Sequence, residues 1–478
     1  MRIPFTLPRG ERDTKLATRP HHRNGGSAGL RPAGVMPGVD TLGVRARSSP
    51  ARVAVASSVG NAVEMYDFLI YGTASAVVFG PLFFPTGDPL IGLLLAFASF
   101  GAGFLARPLG GVVIGHYGDR LGRRAMLVLT LGATGICTAL IGLLPTYAAI
   151  GLWAPAALVT LRVAQGFFLG GETAGAVLMA VEHAPPHRHG WYGGWVFLGS
   201  PTGYFLSTGA FALSAAISGD SFHTWGWRIP FLLSVVLVAI GLYVRLRLGE
   251  SPEFERTRTE QGVARRPVVE VLRTSWRVVL LGGGVYLGFN AFIFVLATFL
   301  IGYGKQELGL PPSVMLNGGL IGSAGQIVAI LVFAWLSDRV GRLPVMLGGG
   351  LFITVYAFPL FWLLETRSEP VVLVAMAVGF VGSGAVFGPL AAYLAELFAA
   401  RVRYSGLSLG LQAGAVAGGG LSPFIATALL GLDRGASWPI SLYLVVLAAV
   451  TVACLVKLGE PRHRSQRRQD LGGTTSVA

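Results

Sequence analysis

The chain is 478 residues long, 53% hydrophobic and only 13% charged, about half the charge of a soluble globular domain. Folded in water it would expose far too much apolar surface. A net charge of +14 would suit nucleic acid only if the basic residues formed a face on a soluble domain. Here they fall in the gaps between apolar runs, which excludes that class and points to a bilayer protein whose loops are sorted by charge.

The first 48 residues are rich in Arg, Gly and Pro and hold no apolar stretch of the secretory-signal kind. Residues 1–51 are expected to form a disordered basic tail, with Met36 as an alternative first residue. Twelve apolar runs of spanning length follow, at about 53–80, 90–114, 124–146, 154–182, 190–217, 227–248, 276–303, 313–337, 342–365, 370–398, 404–431 and 437–458. The polar segment 249–275 is the one long connection; eight Arg fall between Arg245 and Arg277, ends included. It divides the chain into halves at 52–248 and 276–458, and residues 459–478 read as a second disordered tail. The expected fold is an all-α membrane protein of twelve transmembrane helices in two six-helix halves.

Of the 37 Lys and Arg residues, all but six lie on the side of the N-terminal tail. Lys305, Arg367 and Arg434 lie in opposite loops, and Arg107, Arg162 and Arg228 fall within or at the edge of helices. This bias puts both termini in the cytoplasm of a multi-pass cell-membrane protein, the inner membrane in a two-membrane cell.

Gly115-His-Tyr-Gly-Asp119-Arg120-Leu-Gly122-Arg123-Arg124 stands between helices 2 and 3, and Ala334-Trp-Leu-Ser-Asp338-Arg339-Val-Gly341-Arg342 between helices 8 and 9. The shared Asp-Arg-x-Gly-Arg core marks a duplication, a known transporter plan with the substrate site between the halves near mid-membrane. Gly permits the tight turn, the Asp can cap the next helix or pair with Arg, and the Arg residues hold the loop in the cytoplasm.

At these residues the sequence resembles the major facilitator superfamily. Other stretches are similar to its metabolite:proton symporter family: Glu64-Met-Tyr66-Asp67-Phe68-Leu-Ile-Tyr71-Gly72, Ala106-Arg107-Pro108-Leu-Gly110-Gly111, Arg162-Val-Ala-Gln165-Gly166 and Gly170-Gly171-Glu172. Trp225-Gly-Trp227-Arg228-Ile-Pro230-Phe231, Glu250-Ser-Pro252 and Ala395-Glu396-Leu-Phe with Arg401-Val-Arg403-Tyr404-Ser-Gly406 extend the likeness over about residues 52–458. Met65 stands where that family usually has Trp, and Thr173-Ala174 where it usually has an aromatic and Gly; both departures would bear on the substrate pocket. The resemblance implies import of a small organic acid or zwitterion with protons.

Ionisable groups inside a bilayer cost roughly 2.5–3.5 kcal/mol each on insertion scales, so they are functional candidates. In helix 1, Asn61, Glu64, Asp67 and Tyr71 recur at steps of three and four and are expected to line a central cavity from one helix face. Arg162, Gln165 and Glu172 form a second stripe in helix 4, and Arg107 stands in helix 2. Counting helical rise from the outer ends puts Arg107 level with Glu172 and Asp67 level with Arg162, and predicts both as pairs. Asp67, or Glu64 beside it, is expected to take up the proton. Arg162 is the expected carboxylate contact, since a guanidinium grips carboxylates bidentately, with Tyr66, Tyr71, Gln165, Tyr286 and Asn290 as further substrate contacts. Fixed ion pairs that only hold helices together would use the same residues. Asp119, Arg120, Arg123, Asp338, Arg339, Arg342, Glu396, Arg401 and Arg403 are expected to form a cytoplasmic gate.

His183, His187 and His189 lie in a loop without Cys, and Cys137 and Cys454 stand alone in apolar segments; neither set predicts a metal or a disulfide. Glycine pairs and runs, Gly170-Gly171 among them, lack the Gly-Lys-Ser/Thr of a phosphate loop and read as close-packing helix faces. No cofactor is expected, and no nucleophile–base set supports an enzyme. A monomer carrying a small carboxylate or zwitterion with protons is the expectation. A proton-independent facilitator and a drug/proton antiporter are the alternatives within transport, and a non-transporting membrane sensor is the alternative outside it.

Overall fold

The computed structural model describes residues 49–121, 123–246, 267–398, 403–432 and 436–461, except the side chains of 115, 116, 118–121, 123–125, 127 and 267. The expected tails before 49 and after 461 and most of the central loop lie outside the described residues, as do Arg401 and the side chains of Asp119, Arg120 and Arg123.

Every regular element among the described residues is helical. The first half comprises α1 (Pro50–Phe83), α2 (Pro89–Leu121), α3 (Arg123–Leu143), α4 in two segments (Trp153–Leu169 and Glu172–His183), α5 in two segments (His189–Phe197 and Gly199–Ser218) and α6 (Arg228–Leu246). The second comprises α7 (Trp276–Gln306), α8 (Pro312–Val340), α9 (Arg342–Glu365), α10 (Glu369–Glu396), α11 (Arg403–Leu432) and α12 (Trp438–Leu458). Nine of these are long and apolar enough to cross a bilayer among the described residues; the apolar part of α3 is the shorter run Val128–Leu143, and α4 and α5 are interrupted. The chain thus forms the twelve helices that its apolar runs predict. One boundary differs. Pro267–Thr274, within the predicted loop, is helical.

The repeat of sequence is also a repeat of irregularity. A wide π-type turn interrupts α1 at Ser75–Phe79 and α7 at Val295–Phe299, the first helix of each half. The break in α5 at Leu198 is matched in α11 by another wide turn, Ala415–Gly420. Such turns free backbone groups and let a helix bend. The halves meet along two related seams, α5 with α8 and α2 with α11. The signature core is shorter than a loop: Asp338 and Arg339 belong to the last turn of α8, Gly341 alone turns the chain at φ 98°, and α9 begins at Arg342. A side chain there would be strained, which is why the motif keeps Gly.

Helices α2 and α4 cross at backbone contact. A Cβ on Gly166 would fall on the Gly103 carbonyl, and one on Gly110 on the Phe167 carbonyl. Small residues at such crossings stand in for the missing hydrophobic drive between helices in lipid. Gly166→Ala, which must push α2 away, is expected to lower the thermal-unfolding midpoint in detergent by about 5 °C or more. An unchanged midpoint would contradict the close crossing that carries Arg107 and Arg162.

Candidate functional site

A cavity of about 50 Å³ lies between the halves, room for roughly three or four waters. Asn61 and Met65 of α1, Arg107 of α2, Thr173 of α4 and Tyr204 of α5 line one side; Tyr286 and Asn290 of α7, Phe380 of α10 and Gln412 of α11 line the other. Both departures from the family pattern, Met65 and Thr173, therefore stand on its wall.

The helix-1 face lines the cavity only in part. Asn61 does, anchored by its Nδ2 donating to the Val196 carbonyl at 2.9 Å. Glu64 turns sideways and accepts from Arg107 Nη2 at 2.8 Å and from the Thr173 hydroxyl at 3.3 Å. The predicted Arg107–Glu172 pair is therefore corrected. Glu172 opens the second segment of α4 and pairs with Arg245 at the end of α6, whose side chain passes Gly60, where a Cβ would lie 2.7 Å from its Nη2. Depth along a helix fixes height and leaves rotation free, which is why the level match failed. Arg245 had been counted with the cytoplasmic loop. A signal for it existed: Glu64, Asp67 and Glu172 outnumber Arg107 and Arg162 in the first half, and a buried carboxylate needs a partner.

The second predicted pair is also corrected. Arg162 and Asp67 lie close enough to act on one another's charge, but Asp67 makes no ion pair with it; the Thr138 hydroxyl is beside the Asp67 carboxyl without reaching hydrogen-bond geometry. Arg162 is caged by Phe68, Tyr71 and Phe100, whose ring centroids lie 3.9, 4.3 and 4.8 Å from its guanidinium carbon. It donates to Gln165 Oε1 at 2.6 Å, and Gln165 donates to the Thr138 hydroxyl at 2.8 Å. Thr138 in turn spends its one proton on the Thr134 carbonyl at 3.0 Å. Cation–π contacts compensate a guanidinium that has lost its water. Asp67 and Arg162 are both fully buried.

Four of the six expected substrate contacts stand off the cavity. Arg162 and Gln165 belong to this cage, the Tyr66 hydroxyl donates to the Pro230 carbonyl at 2.7 Å, and Tyr71 bonds Ser99 at 2.8 Å. Tyr286 and Asn290 line it. Arg107, expected in a charge network with Glu172, is the cation on the wall.

Ties at the end of the bundle that carries the Asp338–Arg342 turn cross between the halves. Asp338 accepts from the Gly190 and Trp191 N–H groups at 2.8 Å each, the Tyr404 hydroxyl donates to the Gly171 carbonyl at 2.8 Å, and Gln412 Nε2 donates to the Gly170 carbonyl at 2.8 Å. Glu396 holds Arg342 at 2.7 Å and His189 at 3.1 Å, and Arg403 lies 3.9 Å from Glu182. Arg339 takes no part; it lies over the Trp335 ring at 3.9 Å, on the surface. His183 bonds its own helix at the Met179 carbonyl, so the loop histidines do not converge. At the opposite end, a Cβ on Gly302 would meet Leu93, and one on Gly431 would meet Leu90, each at 3.2 Å. Contacts between the halves thus lie on both sides of the cavity.

Asp338 acts as an acceptor at the first turn of α5, reached from the other half, where an anion is favoured by both the free N–H groups and the helix dipole. Asp338→Ala should cost about 1–3 kcal/mol of this closed arrangement. The check is the rate at which a cytoplasmic-side thiol reagent reaches a cysteine placed at buried Ser408, which should rise at least about fivefold; an unchanged rate would deny Asp338 the gate.

The family model of the Major Facilitator Superfamily matches residues 67–410. The chain is 42% identical over 421 residues to the shikimate transporter of Escherichia coli (strain K12), across 87% of this chain and 96% of that protein. It is 39% identical over 424 residues to an inner membrane metabolite transport protein of the same strain, with 87% and 96% covered. It is 34% identical over 422 residues to the proline/betaine transporter of Salmonella typhimurium (strain LT2), with 86% and 83% covered. Among solved structures, a proton:xylose symporter superposes with a TM-score of 0.66 at 16% identity, over 86% of this chain and 95% of that one, a likeness of fold alone.

Proposed function

The chain belongs to the Major Facilitator Superfamily of membrane transporters, and from that premise we propose that it imports a small organic acid or zwitterionic metabolite together with protons. The observation that carries this reading is Arg107. It stands on the cavity wall, bound through one nitrogen to Glu64, with its Nε unpartnered among the described residues. A substrate carboxylate can take that nitrogen and compete with Glu64 for the guanidinium, which is strong, planar recognition. Relatives named for shikimate and for proline and betaine fit a ligand of this size and charge.

Asp67 is the proton site in this scheme. A carboxyl that loses its water is far cheaper to bury as the neutral acid than as the ion, and Asp67 is fully buried without an ion pair among the described residues. Glu64, freed when substrate takes Arg107, is the second proton carrier. Alternating access then consists of the halves 52–248 and 276–458 rocking about the cavity, with the cytoplasmic ties broken in one state and the apolar outer contacts in the other. Both termini face the cytoplasm, and a single chain in the bilayer suffices. The test is uptake of labelled shikimate, 2-oxoglutarate, citrate and proline by proteoliposomes with and without an inward proton gradient. Gradient-stimulated uptake of one of them is expected; uptake indifferent to the gradient would leave a facilitator.

A further inference from the structure

The tie at the Asp338–Arg342 turn holds an uneven set of charges among the described residues. Asp338 and Glu396 bring two carboxylates and Arg342 one guanidinium, all on the second half, with Arg342 2.7 Å from Glu396 and 3.9 Å from Asp338. From the first half, His189 Nδ1 reaches the same Glu396 oxygen at 3.1 Å. With a neutral imidazole these groups carry one net negative charge, and a protonated imidazole brings them to zero. Only the protonated form adds an attraction between opposite charges on the two halves.

The other ionisable groups on the described elements packed here are engaged elsewhere or stand in solvent. Glu182, on the second segment of α4, faces Arg403 of α11 at 3.9 Å, and His183 bonds the Met179 carbonyl. Glu460, after α12, accepts from the Arg342 and Leu343 N–H groups at 3.1 and 2.8 Å. Arg339 lies over the Trp335 ring. His187, Arg188 and, at the start of α1, Arg52 are exposed, where charges are screened. The dipole of α5 opposes a cation at its first residue, but Asp338 already answers it through the Gly190 and Trp191 N–H groups. Histidine is the side chain whose ordinary titration crosses physiological pH. The His189 and Glu396 side chains are 23% and 19% exposed, so protons reach them from water.

Resting on the reading that the halves rock apart at this end, we propose that His189 makes the tie a pH sensor, tightened by protonation and loosened by its loss. The imidazolium gains a charge-assisted hydrogen bond to Glu396 only while the halves are joined, so protonation and joining favour one another. The added hold is present in acid and is lost as pH rises through the titration of the imidazole. In the orientation proposed above, this end faces the cytoplasm. An importer of protons then slows as it acidifies the compartment it feeds.

The test reads the tie itself and needs neither substrate nor proton gradient. The full chain carrying Cys137→Ala, Cys454→Ala and Ser408→Cys is purified in detergent, and its rate of labelling by a methanethiosulfonate is measured at about pH 5.5 and about pH 8. Each rate is divided by that of the same chain with His189→Gln, which cancels the ionisation of the thiol. The ratio is expected to fall about two- to fivefold from the higher pH to the lower, the size fitting a partly exposed pair. His189→Arg, a fixed cation, should label slowly at both values. Glu396→Gln should erase the pH dependence, referred to its own His189→Gln counterpart. A ratio that does not change with pH, whatever its size, would overturn the proposal and leave His189 a fixed contact. A change that survives Glu396→Gln would overturn it as well. Failure of proton-coupled uptake in proteoliposomes would leave this result standing, since no transport enters it.

Discussion

Arg107→Ala is expected to abolish carboxylate transport, lowering uptake at least about 100-fold, and to destabilise the protein. The two effects have separate causes. Arg107 is 4% exposed and holds Glu64, which is 1% exposed; removing one partner of a buried ion pair strands the other, at about 3–5 kcal/mol. The binding loss comes from the carboxylate's lost guanidinium. Two variants separate them. Arg107→Lys keeps the charge and should preserve folding, while weakening substrate about 10- to 100-fold because a point charge cannot form the fork. Glu64→Gln with Arg107→Met removes both charges and should recover much of the melting temperature without restoring binding. Wild-type affinity in either variant would remove Arg107 from the site.

Asp67→Asn is expected to uncouple the transporter. Asn has nearly the shape of the neutral acid and cannot exchange a proton. The hydroxyl beside Asp67 is that of Thr138, which an amide oxygen can face as well as a carboxyl oxygen, so folding should be little affected. Uptake driven by a proton gradient should fall at least about 100-fold, while exchange of internal for external substrate, which moves no net proton, should persist. Loss of both would make Asp67 structural; retention of gradient-driven uptake would move the proton to Glu64.

The contrast between these two residues shows what the sequence carries. Spanning helices are legible because each is a long apolar run, and the duplication is legible because Asp-Arg-x-Gly-Arg recurs at matched positions. The breaks in α4 and α5 were marked in the sequence by Gly170-Gly171 and Gly199-Ser200-Pro201, but glycine signals close packing and interruption alike. What failed was rotation. Counting rise along the helices put Arg107 level with Glu172 and Asp67 level with Arg162, yet the charges sort by azimuth: Arg107 to Glu64, Glu172 to Arg245, Arg162 to an aromatic cage. The cage was unreadable because Tyr71 reads as a substrate contact and Phe68 and Phe100 look like ordinary lipid-facing or core aromatics. Tyr204 was missed for the same reason. The departures at Met65 and Thr173, by contrast, pointed correctly to the cavity wall.

Proton coupling is tested most directly by watching the proton itself. Proteoliposomes are prepared without a pH gradient in weakly buffered medium, and the external pH is followed as a transported carboxylate is added. Coupled import should alkalinise the medium in step with substrate entry, and Asp67→Asn should remove that change. Substrate entry without any movement of external pH would contradict symport and leave this chain a facilitator of the same fold.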